Sequence, residues 1–542
     1  MNKPLSPADS IPATALAVEV ERRRTFAIIS HPDAGKTTLT EKLLLFGGAI
    51  NLAGQVKAKR DRRSTRSDWM AIERERGISV VTSVMTFDYD GRVFNLLDTP
   101  GHEDFSEDTY RTLTAVDSAV MVIDAAKGIE ARTRKLFEVC RLRDIPIVTF
   151  VNKMDRESRD PFELLDEIEK TLALDTAPMT WPIGRGRDFA GTYEIATGEM
   201  RPIGEDGKTV APQLLDLAGL AAKNPMLDAK GIEEELALVK EACRPFGFKS
   251  FREGHLTPVF FGSALKNFGV KDLLDALAAY APAPRAQESD ARVIDAHEDG
   301  MTAFVFKIQA NMDPNHRDRI AFARLCSGKL KRGMKARLAR TGKPITLATP
   351  QFFFAQDRAL ADEAYAGDVV GIPNHGTLRI GDTLTEGEDI AFLGVPNFAP
   401  EILRRVKLGD PMKAKKLKEA LQQMAEEGVV QVFRPLDGAP ALVGVVGPLQ
   451  LDVLKMRLKQ EYGLDIGFDT PEFQLARWIS CDDARKREEF VQANYSSVAE
   501  DLDGDRVFMA RNQFILDYTR ERAPGIVFKD IKDVKDTAAA AA

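Results

Sequence analysis

The chain has 542 residues, of which 44% are hydrophobic and 29% charged, and its 75 basic and 82 acidic side chains give a formal net charge of −7. This composition is ordinary for a folded globular protein and excludes a collagen-like chain, a small disulfide scaffold and a chain that is disordered throughout. The slight acidic excess argues against a wholly basic nucleic-acid binder but leaves local basic patches open.

The two ends of the chain differ from its interior. Residues 1–22 contain a mildly apolar stretch flanked by Asp9 on one side and by Glu21 and three arginines on the other, which does not fit a signal peptide. We expect residues 1–22 to form a flexible extension and residues 536–542 to form a frayed tail. No apolar run of the sequence approaches the roughly 20 residues that span a bilayer.

Strand-like apolar runs alternate with helical patterns over residues 23–283, and this alternation predicts a doubly wound parallel α/β domain. The predicted strands are Thr25–Ile29, Val93–Leu97, Ala119–Ile123, Ile145–Val151 and Pro258–Phe261. The predicted helices are Lys36–Phe46, Asp104–Ala115, Arg132–Arg143, Pro161–Leu172 and Val270–Tyr280.

Two breaks divide the rest of the chain. The segment Ala281–Arg285 ends the α/β pattern, and residues 300–390 carry short apolar runs punctuated by Gly and Asp, as is typical of a β-barrel. A second break precedes residues 395–535, where strands flank the predicted helices Met412–Glu427 and Gln450–Tyr462. We therefore predict a multidomain α/β protein with a doubly wound domain, a β-barrel domain and an α+β C-terminal domain.

A strand–turn–helix motif, SHPDAGKTT, begins the α/β domain. Its backbone N–H groups and helix N-terminus would face one anion, Gly35 would allow close approach, Lys36 would neutralise the β- and γ-phosphates, and Thr37 would bind Mg²⁺. Ser30 stands where Gly is usual, so an accidental strand–turn–helix is the alternative on this motif alone. The predicted phosphate-binding residues are Ser30, His31, Pro32, Asp33, Ala34, Gly35, Lys36, Thr37 and Thr38.

A second motif, DTPGH, follows the predicted strand Val93–Leu97. A carboxylate at this strand end would face the phosphate loop across a parallel sheet and hold Mg²⁺ through water. Gly101 would bring its N–H to the γ-phosphate, and His102 would lie beside the attacking water. A lone histidine is more often a surface or packed residue, but its place after this motif favours a catalytic role. The residues predicted here are Asp98, Thr99, Pro100 and Gly101 for phosphate and Mg²⁺, and His102 for catalysis.

A third motif, NKMD, follows the predicted strand Ile145–Val151 and points to guanine. The Asp155 carboxylate would accept from N1–H and the 2-amino group of guanine, a donor pair that adenine lacks. A fourth segment follows the strand Pro258–Phe261 and would offer backbone N–H to the guanine O6. Four such elements in order, each after its own strand, predict a GTP site. The predicted guanine-binding residues are Asn152, Lys153, Met154, Asp155, Ser263, Ala264 and Leu265.

Together, the segments HPDAGKTT, RGIS, DTPGHEDF, NKMD and GSAL resemble the translational GTPases, the family of the elongation factors. The resemblance implies that Arg76–Ser79 lies in switch I and that the hydroxyl of Ser79, where threonine is usual, binds Mg²⁺ in the GTP state. It also implies that His102 positions the attacking water and that hydrolysis of GTP to GDP and phosphate is slow until the ribosome completes the site.

Further segments narrow the resemblance to the members of this family that act in translation termination: FVFKIQANMDPNHRDR, NHGTLRIGDTL, GVPNFAPE and EEGVVQVFRP. The resemblance runs from about Thr25 to Ala484. It implies a ribosome-dependent GTPase that uses its GTP/GDP switch to promote dissociation of stop-codon-reading, class-I release factors after peptide release. The implied partners are ribosomal RNA, ribosomal proteins and these class-I factors. We expect a cytoplasmic monomer with no membrane or DNA partner.

Two basic clusters, Lys57–Arg66 before switch I and residues Arg404–Lys418, fit an RNA partner through counterion release. A solvated helix face is the alternative, and for the second cluster both interpretations stay open. The rival functions are a translational GTPase that removes a drug or moves tRNA, and a nucleotide-gated scaffold that does not hydrolyse GTP. The first rival would need a further tip domain, and we expect too little chain after Asp482 to form one. The second rival is disfavoured because Lys36, Thr37, Asp98 and His102 are all present.

Overall fold

The computed structural model describes residues 14–49, 81–202, 211–224, 227–310, 319–354, 357–395 and 397–532. The first element is helix α1 (Ala15–Arg22), whose N-cap Thr14 accepts a 3.2 Å bond from the N–H of Ala17. Val20 is buried, and Glu19 is paired with Arg23. The prediction of a flexible extension is therefore wrong for residues 15–22, because packing and this ion pair hold a short helix that the sequence pattern alone would not stabilise. The rest of that segment and residues 536–542 lie outside the described residues.

A seven-stranded sheet, ordered β2-β3-β1-β4-β5-β11-β6, organises residues 23–283. The strands of this region are β1 (Arg23–Ser30), β2 (Ser83–Tyr89), β3 (Arg92–Asp98), β4 (Ser118–Asp124), β5 (Ile147–Asn152), β6 (Asp175–Pro178), β7 (Thr180–Ile183), β8 (Gly191–Glu194), β9 (Glu199–Pro202), β10 (Gln213–Leu214) and β11 (Leu256–Phe261). Its helices are α2 (Lys36–Phe46), α3 (Ser106–Thr114), α4 (Ala131–Leu142), α5 (Pro161–Leu172), α6 (Leu217–Lys223), α7 (Ala229–Ala242), α8 (Phe248–Arg252) and α9 (Val270–Tyr280), with 3₁₀ turns at Glu103–Phe105 and Gly186–Asp188.

Both faces of the seven-stranded sheet are covered by helices. Ala27 and Ile29 of β1 pack in a cluster with Leu113 of α3, whereas Phe26 and Ile28 pack in a second cluster with residues of α2 and α9. Among the described strands of this sheet, β2 alone runs antiparallel to its neighbour, β3. The doubly wound prediction is confirmed. Strands β7 to β10 form a separate antiparallel sheet that the sequence pattern did not predict.

Residues 287–385 form an antiparallel β domain. Its main sheet has eight strands in the order β18-β17-β23-β14-β15-β22-β19-β20, and β16 pairs with β21. The bounds are β12 (Gln287–Glu288), β13 (Val293–Ile294), β14 (Thr302–Ala310), β15 (Arg319–Ser327), β16 (Lys329–Lys331), β17 (Lys335–Leu338), β18 (Lys343–Thr346), β19 (Gln351–Phe354), β20 (Asp357–Leu360), β21 (Glu363–Tyr365), β22 (Val369–Pro373) and β23 (Thr383–Thr385).

Buried polar contacts hold this β domain against the parallel sheet. Arg324 donates to Asp117 at 2.5 Å, and both side chains are almost fully buried. Thr25 at the start of β1 donates its hydroxyl to the carbonyl of Gly367 at 2.6 Å. Removal of either Arg324 or Asp117 alone would leave a buried charge unpaired, so such a change should destabilise this interface.

Residues 397–532 contain two βαββαβ modules joined edge to edge. One sheet, ordered β28-β25-β27-β26-β30-β31-β29-β32, runs through both, and β26 meets β30 at the junction. The α+β prediction is confirmed. The strands are β24 (Asn397–Phe398), β25 (Ile402–Leu408), β26 (Gln431–Pro435), β27 (Leu442–Val445), β28 (Ile466–Asp469), β29 (Leu475–Ser480), β30 (Val498–Glu500), β31 (Arg506–Ala510), β32 (Val527–Lys529) and β33 (Ile531–Lys532). The helices are α10 (Ala414–Glu426), α11 (Pro448–Tyr462), α12 (Ala484–Ala493) and α13 (Gln513–Arg522), with 3₁₀ turns at Pro411–Lys413 and Tyr495–Ser497.

A loop of the second module places three carboxylates around one lysine. The Nζ atom of Lys532 in β33 lies 2.7 Å from Asp501, 2.9 Å from Asp503 and 2.5 Å from Asp505. Burial disfavours the charged form of Lys532, but the three carboxylates outweigh it and raise the pKa of the amine above its ordinary value. This cluster attaches the last described strand to the loop between β30 and β31.

No helix among the described ranges is both long and apolar enough to cross a bilayer.

Candidate functional site

The phosphate loop lies between the end of β1 and the start of α2. Asp33 and Gly35 adopt positive φ angles of 65° and 94°, which turn the backbone sharply before the helix begins at Lys36. A Cβ atom at Gly35 would overlap the side-chain amide of Asn152, so only glycine fits this close approach. The N-terminus of α2 therefore opens towards the loop, as an anion site requires.

The carboxyl ends of β1 and β3 bring two predicted motifs together. Ile28 pairs with Asp98 in the parallel register, and the hydroxyl of Thr99 donates to the carbonyl of Ile28 at 2.7 Å. The side chains of Lys36 and Asp98 are both buried and form an ion pair. One cation and one carboxylate are thus held at the mouth of the loop, where phosphate and Mg²⁺ would be bound.

The His31 side chain lies under the loop. It is fully buried, and its Nδ1 atom lies 3.0 Å from Oε2 of Glu130. Burial lowers the pKa of His31, although the nearby Glu130 opposes this shift. Because the His31 side chain is buried beside Glu130, a phosphate contact of residue 31 would come from its backbone.

His102 begins the turn that follows β3. Its Nδ1 atom accepts a 3.3 Å bond from the N–H of Asp104, and its side chain is about one-third exposed at 34%. Gly101 lies against Pro32 of the phosphate loop, since a Cβ at Gly101 would come within 3.8 Å of the Pro32 Cα. The carbonyl of Pro100 accepts from Arg132 at 3.2 Å. The DTPGH segment is thereby placed beside the loop, with His102 at its rim.

Asn152 joins the two halves of the predicted base site. Its Nδ2 atom donates to the carbonyl of Ala34 at 2.8 Å, and its Oδ1 atom accepts from the N–H of Ala264 at 2.9 Å. The N–H of Met154 bonds to the carbonyl of Gly262 at 3.1 Å. This one buried amide therefore fixes the phosphate loop, the NKMD segment and the Ser263–Leu265 segment relative to each other.

Lys153 and Asp155 lie on the open side of this junction. The Nζ atom of Lys153 donates to the carbonyl of Asp33 and to Asp124 at 2.6 Å. Burial disfavours the Asp124 carboxylate, but the bonds from Lys153 and from the Ala126 N–H outweigh it, so the pKa of Asp124 is lowered. Asp155 is half-buried, and its carboxylate makes no hydrogen bond within the described part of the chain, so its oxygens are not engaged by these residues. Ser263 closes a tight turn with Phe268, and Leu265 is exposed.

The predicted site residues that the structure describes lie together at one sheet edge. The predicted Mg²⁺ ligand Ser79, and the basic cluster 57–66, lie outside the described residues. Sequence reasoning missed Asp124 and Glu130, which support Lys153 and His31. Asp124 ends β4 at the same sheet edge as the other motifs, so its strand-end position was a usable signal.

The helix that follows His102 contacts both later domains. Asp104 accepts from the N–H of Leu449 in α11 at 2.6 Å, and Asp108 accepts from Lys307 in β14 at 3.0 Å. Arg111 of α3 donates to the side chain of Asn397 at 2.9 Å. A conformational change in this segment would therefore alter its contacts with the β domain and with the C-terminal modules.

Oxygen donors suited to Mg²⁺ are present at the loop. The hydroxyl of Thr37, in the first turn of α2, and the carboxylate of Asp98 are the hard ligands this ion prefers. Lys36, which is buried and paired with Asp98, would balance phosphate charge. These residues fit a site for a nucleotide with its magnesium ion.

Three family models match successive parts of the chain. The elongation factor Tu GTP binding domain matches residues 21–283, the elongation factor G domain 2 matches residues 300–387, and the class II release factor RF3 C-terminal domain matches residues 392–520. The first two define a translational GTPase. With the third, the chain belongs to the class II release factors of the RF3 family.

A solved structure supports the fold. A crystal structure of a protein from Thermus thermophilus superimposes with a TM-score of 0.67 at 24% sequence identity, covering 85% of this chain and 71% of that one. At this identity the likeness establishes architecture alone.

Proposed function

We propose that this protein is a ribosome-stimulated GTP hydrolase that promotes dissociation of class-I release factors from the ribosome after peptide release. The main observation in support is that an RF3 C-terminal domain occurs together with a GTPase site whose four motifs lie along one sheet edge. The proposed partners are the ribosome, through its RNA and proteins, and the stop-codon-reading factors.

The phosphate loop and the base site together would bind the nucleotide. The backbone N–H groups of residues 30–38, apart from Pro32, and the dipole of α2 would hold the phosphates. Lys36 would neutralise charge on the β- and γ-phosphates. Thr37, Asp98 through water, and Ser79 would hold Mg²⁺, which supplies further neutralisation of the developing negative charge. The Asp155 carboxylate would accept the two guanine donors, and the backbone at Ser263, Ala264 and Leu265 would contact the base.

Hydrolysis requires a positioned water molecule. The Nδ1 atom of His102 faces Asp104, 3.3 Å from both its backbone nitrogen and its Oδ1 atom, so Nε2 is the ring atom that remains to orient water beside the γ-phosphate. Gly101 would donate its N–H to that phosphate. Because positioning supplies most of this catalysis, turnover should stay slow until a ribosomal contact holds His102 in place.

Loss of the γ-phosphate would release Gly101 and with it the segment from His102 to α3. That segment contacts Leu449 and Lys307, which belong to the two later domains. Relaxation at the nucleotide would in this way alter how the domains are held, which is the GTP/GDP switch that the function needs.

The test is the rate at which a class-I release factor leaves a termination ribosome after peptide release, with and without this protein. Faster departure with GTP, and none with GDP, would support the proposal. Strong ribosome-stimulated hydrolysis without faster departure would leave a translational GTPase with another client, such as a bound drug or tRNA.

A further inference from the structure

Four exposed lysines lie at the start of helix α10 and in the 3₁₀ turn before it. We call Lys413, Lys415, Lys416 and Lys418 the α10 lysine cluster. Met412 beside them is 91% exposed, so an apolar side chain also faces outward at this place. The cluster lies in the first βαββαβ module, far along the sequence from the nucleotide motifs.

The position of these charges is unfavourable within the isolated protein. A helix N-terminus carries partial positive charge, and cations in the first turn therefore oppose the helix dipole. The first turn of α10 contains no acidic residue to offset them. The preceding Asp410 is engaged as the cap of the 3₁₀ turn, accepting from the N–H of Met412 at 3.0 Å.

The cluster also differs in its pairing from three exposed lysines that stand apart from one another. Lys170, Lys230 and Lys249 each face a carboxylate four residues away, at 2.7, 3.9 and 3.8 Å. By contrast, within the described ranges Lys415, Lys416 and Lys418 have no carboxylate within 4.0 Å. Lys413 donates weakly to the Gly463 carbonyl at 3.5 Å.

We propose that the α10 lysine cluster binds the phosphate backbone of ribosomal RNA. An array of phosphates satisfies several unpaired lysines at once and releases its own counterions, so the unfavourable charges become favourable on binding. A protein partner fits less well, because lysine is depleted at protein–protein interfaces. This inference rests on the proposed ribosome-dependent function and assigns one of its contact surfaces.

The experiment compares two triple variants that remove the same charge. One is Lys415→Gln, Lys416→Gln and Lys418→Gln, and its matched control is Lys170→Gln, Lys230→Gln and Lys249→Gln. Glutamine keeps helix propensity, and removing cations from the first turns does not weaken α10. Affinity for ribosomes is measured over a series of KCl concentrations with a non-hydrolysable GTP analogue.

We expect the cluster variant to bind at least about tenfold more weakly at roughly 0.1 M salt and to lose about 2 to 3 from the slope of log K against log salt. The control variant should keep the wild-type slope. Equal weakening of both variants, or an unchanged cluster variant, would overturn the proposal. Wild-type protein that did not bind ribosomes would overturn the proposed function as well, so the two failures are distinguishable.

A photo-crosslinking amino acid at position 412 identifies the partner directly. A ribosomal adduct that RNase removes supports the RNA contact. An adduct that only a protease removes shows a protein partner and overturns the assignment.

Discussion

The Oδ2 atom of Asp104 accepts a 2.6 Å hydrogen bond from the backbone N–H of Leu449, two residues into α11. A carboxylate at this place satisfies an otherwise unpaired helix N–H and complements the helix dipole. The N–H of the same Asp104 bonds to His102. One residue therefore connects the proposed catalytic histidine to a helix of the C-terminal domain.

Gly447→Ala tests this connection. A Cβ at residue 447 would overlap the Asp104 carboxylate, so α11 and Asp104 must separate. We expect the free energy of unfolding to fall by about 1–3 kcal/mol, as for other overpacked sites. The penalty should be smaller in an Asp104→Ala background, because the overlapping group is gone, and a double-mutant cycle by thermal unfolding measures this.

Gly467→Ala is the matched control for that cycle. A Cβ at Gly467 meets nothing within 4 Å and its φ angle is not in the left-handed region, so it should leave stability nearly unchanged. Additive penalties for Gly447→Ala and Asp104→Ala would argue that the two residues do not interact in solution.

His102→Ala should lower ribosome-stimulated GTP hydrolysis by about 10²- to 10⁴-fold, the range typical of a lost positioning or proton-transfer group. GTP affinity should stay within about twofold, because His102 lies at the rim of the loop and its ring nitrogen bonds to Asp104 of its own turn. Single-turnover hydrolysis and fluorescent-nucleotide titration separate the two quantities. An unchanged hydrolysis rate would remove His102 from the mechanism.

Asp155→Asn should exchange guanine preference for xanthine preference. The amide offers one donor and one acceptor where the carboxylate offers two acceptors, which matches the 2-carbonyl of xanthine. Competition of XTP and GTP for the variant measures the change, and we expect the GTP/XTP affinity ratio to fall by about 10²-fold or more. Retained guanine selectivity would contradict the assignment of Asp155.

Asp272 should make stability depend on pH. Burial in α9 raises the pKa of Asp272 to about 6, and its ion pair with Arg201 opposes this only in part. The folded protein therefore keeps a proton that the unfolded chain releases near pH 4, so this group's contribution to stability falls as the pH rises from about 4 to 6.

The non-titrating variant Asp272→Asn isolates that contribution. The stability of wild type relative to the variant should fall by up to about 3 kcal/mol between pH 4 and pH 7, following about 1.4 kcal/mol for each pKa unit. Thermal midpoints of both proteins across this range measure the difference. A difference that is constant with pH, or that grows in favour of wild type, would refute the raised pKa.

The elements whose bounds the sequence predicts well are those with end signals in the neighbouring residues. Helices α2, α5 and α9 have their predicted bounds, and α5 shows the reason, with Asp160 as its cap and Pro161 at its first position. The site motifs were predictable because each follows a strand whose carboxyl end meets the same sheet edge.

Contacts between distant residues explain what the sequence does not show. Helix α1 depends on the burial of Val20 against the β domain, and the Asp104–Leu449 bond joins residues 345 positions apart. Neither of these contacts produces a periodic pattern of apolar residues in the sequence. The expected Mg²⁺ ligand Ser79 stays a prediction, as it lies outside the described residues.

The lysine that β33 places among Asp501, Asp503 and Asp505 makes the second module carry its own counterion. Arg379 of the β domain also reaches Asp503, at 2.8 Å, so cations from two other parts of the chain meet at the loop between β30 and β31. A change that displaced either cation would leave like charges facing each other there.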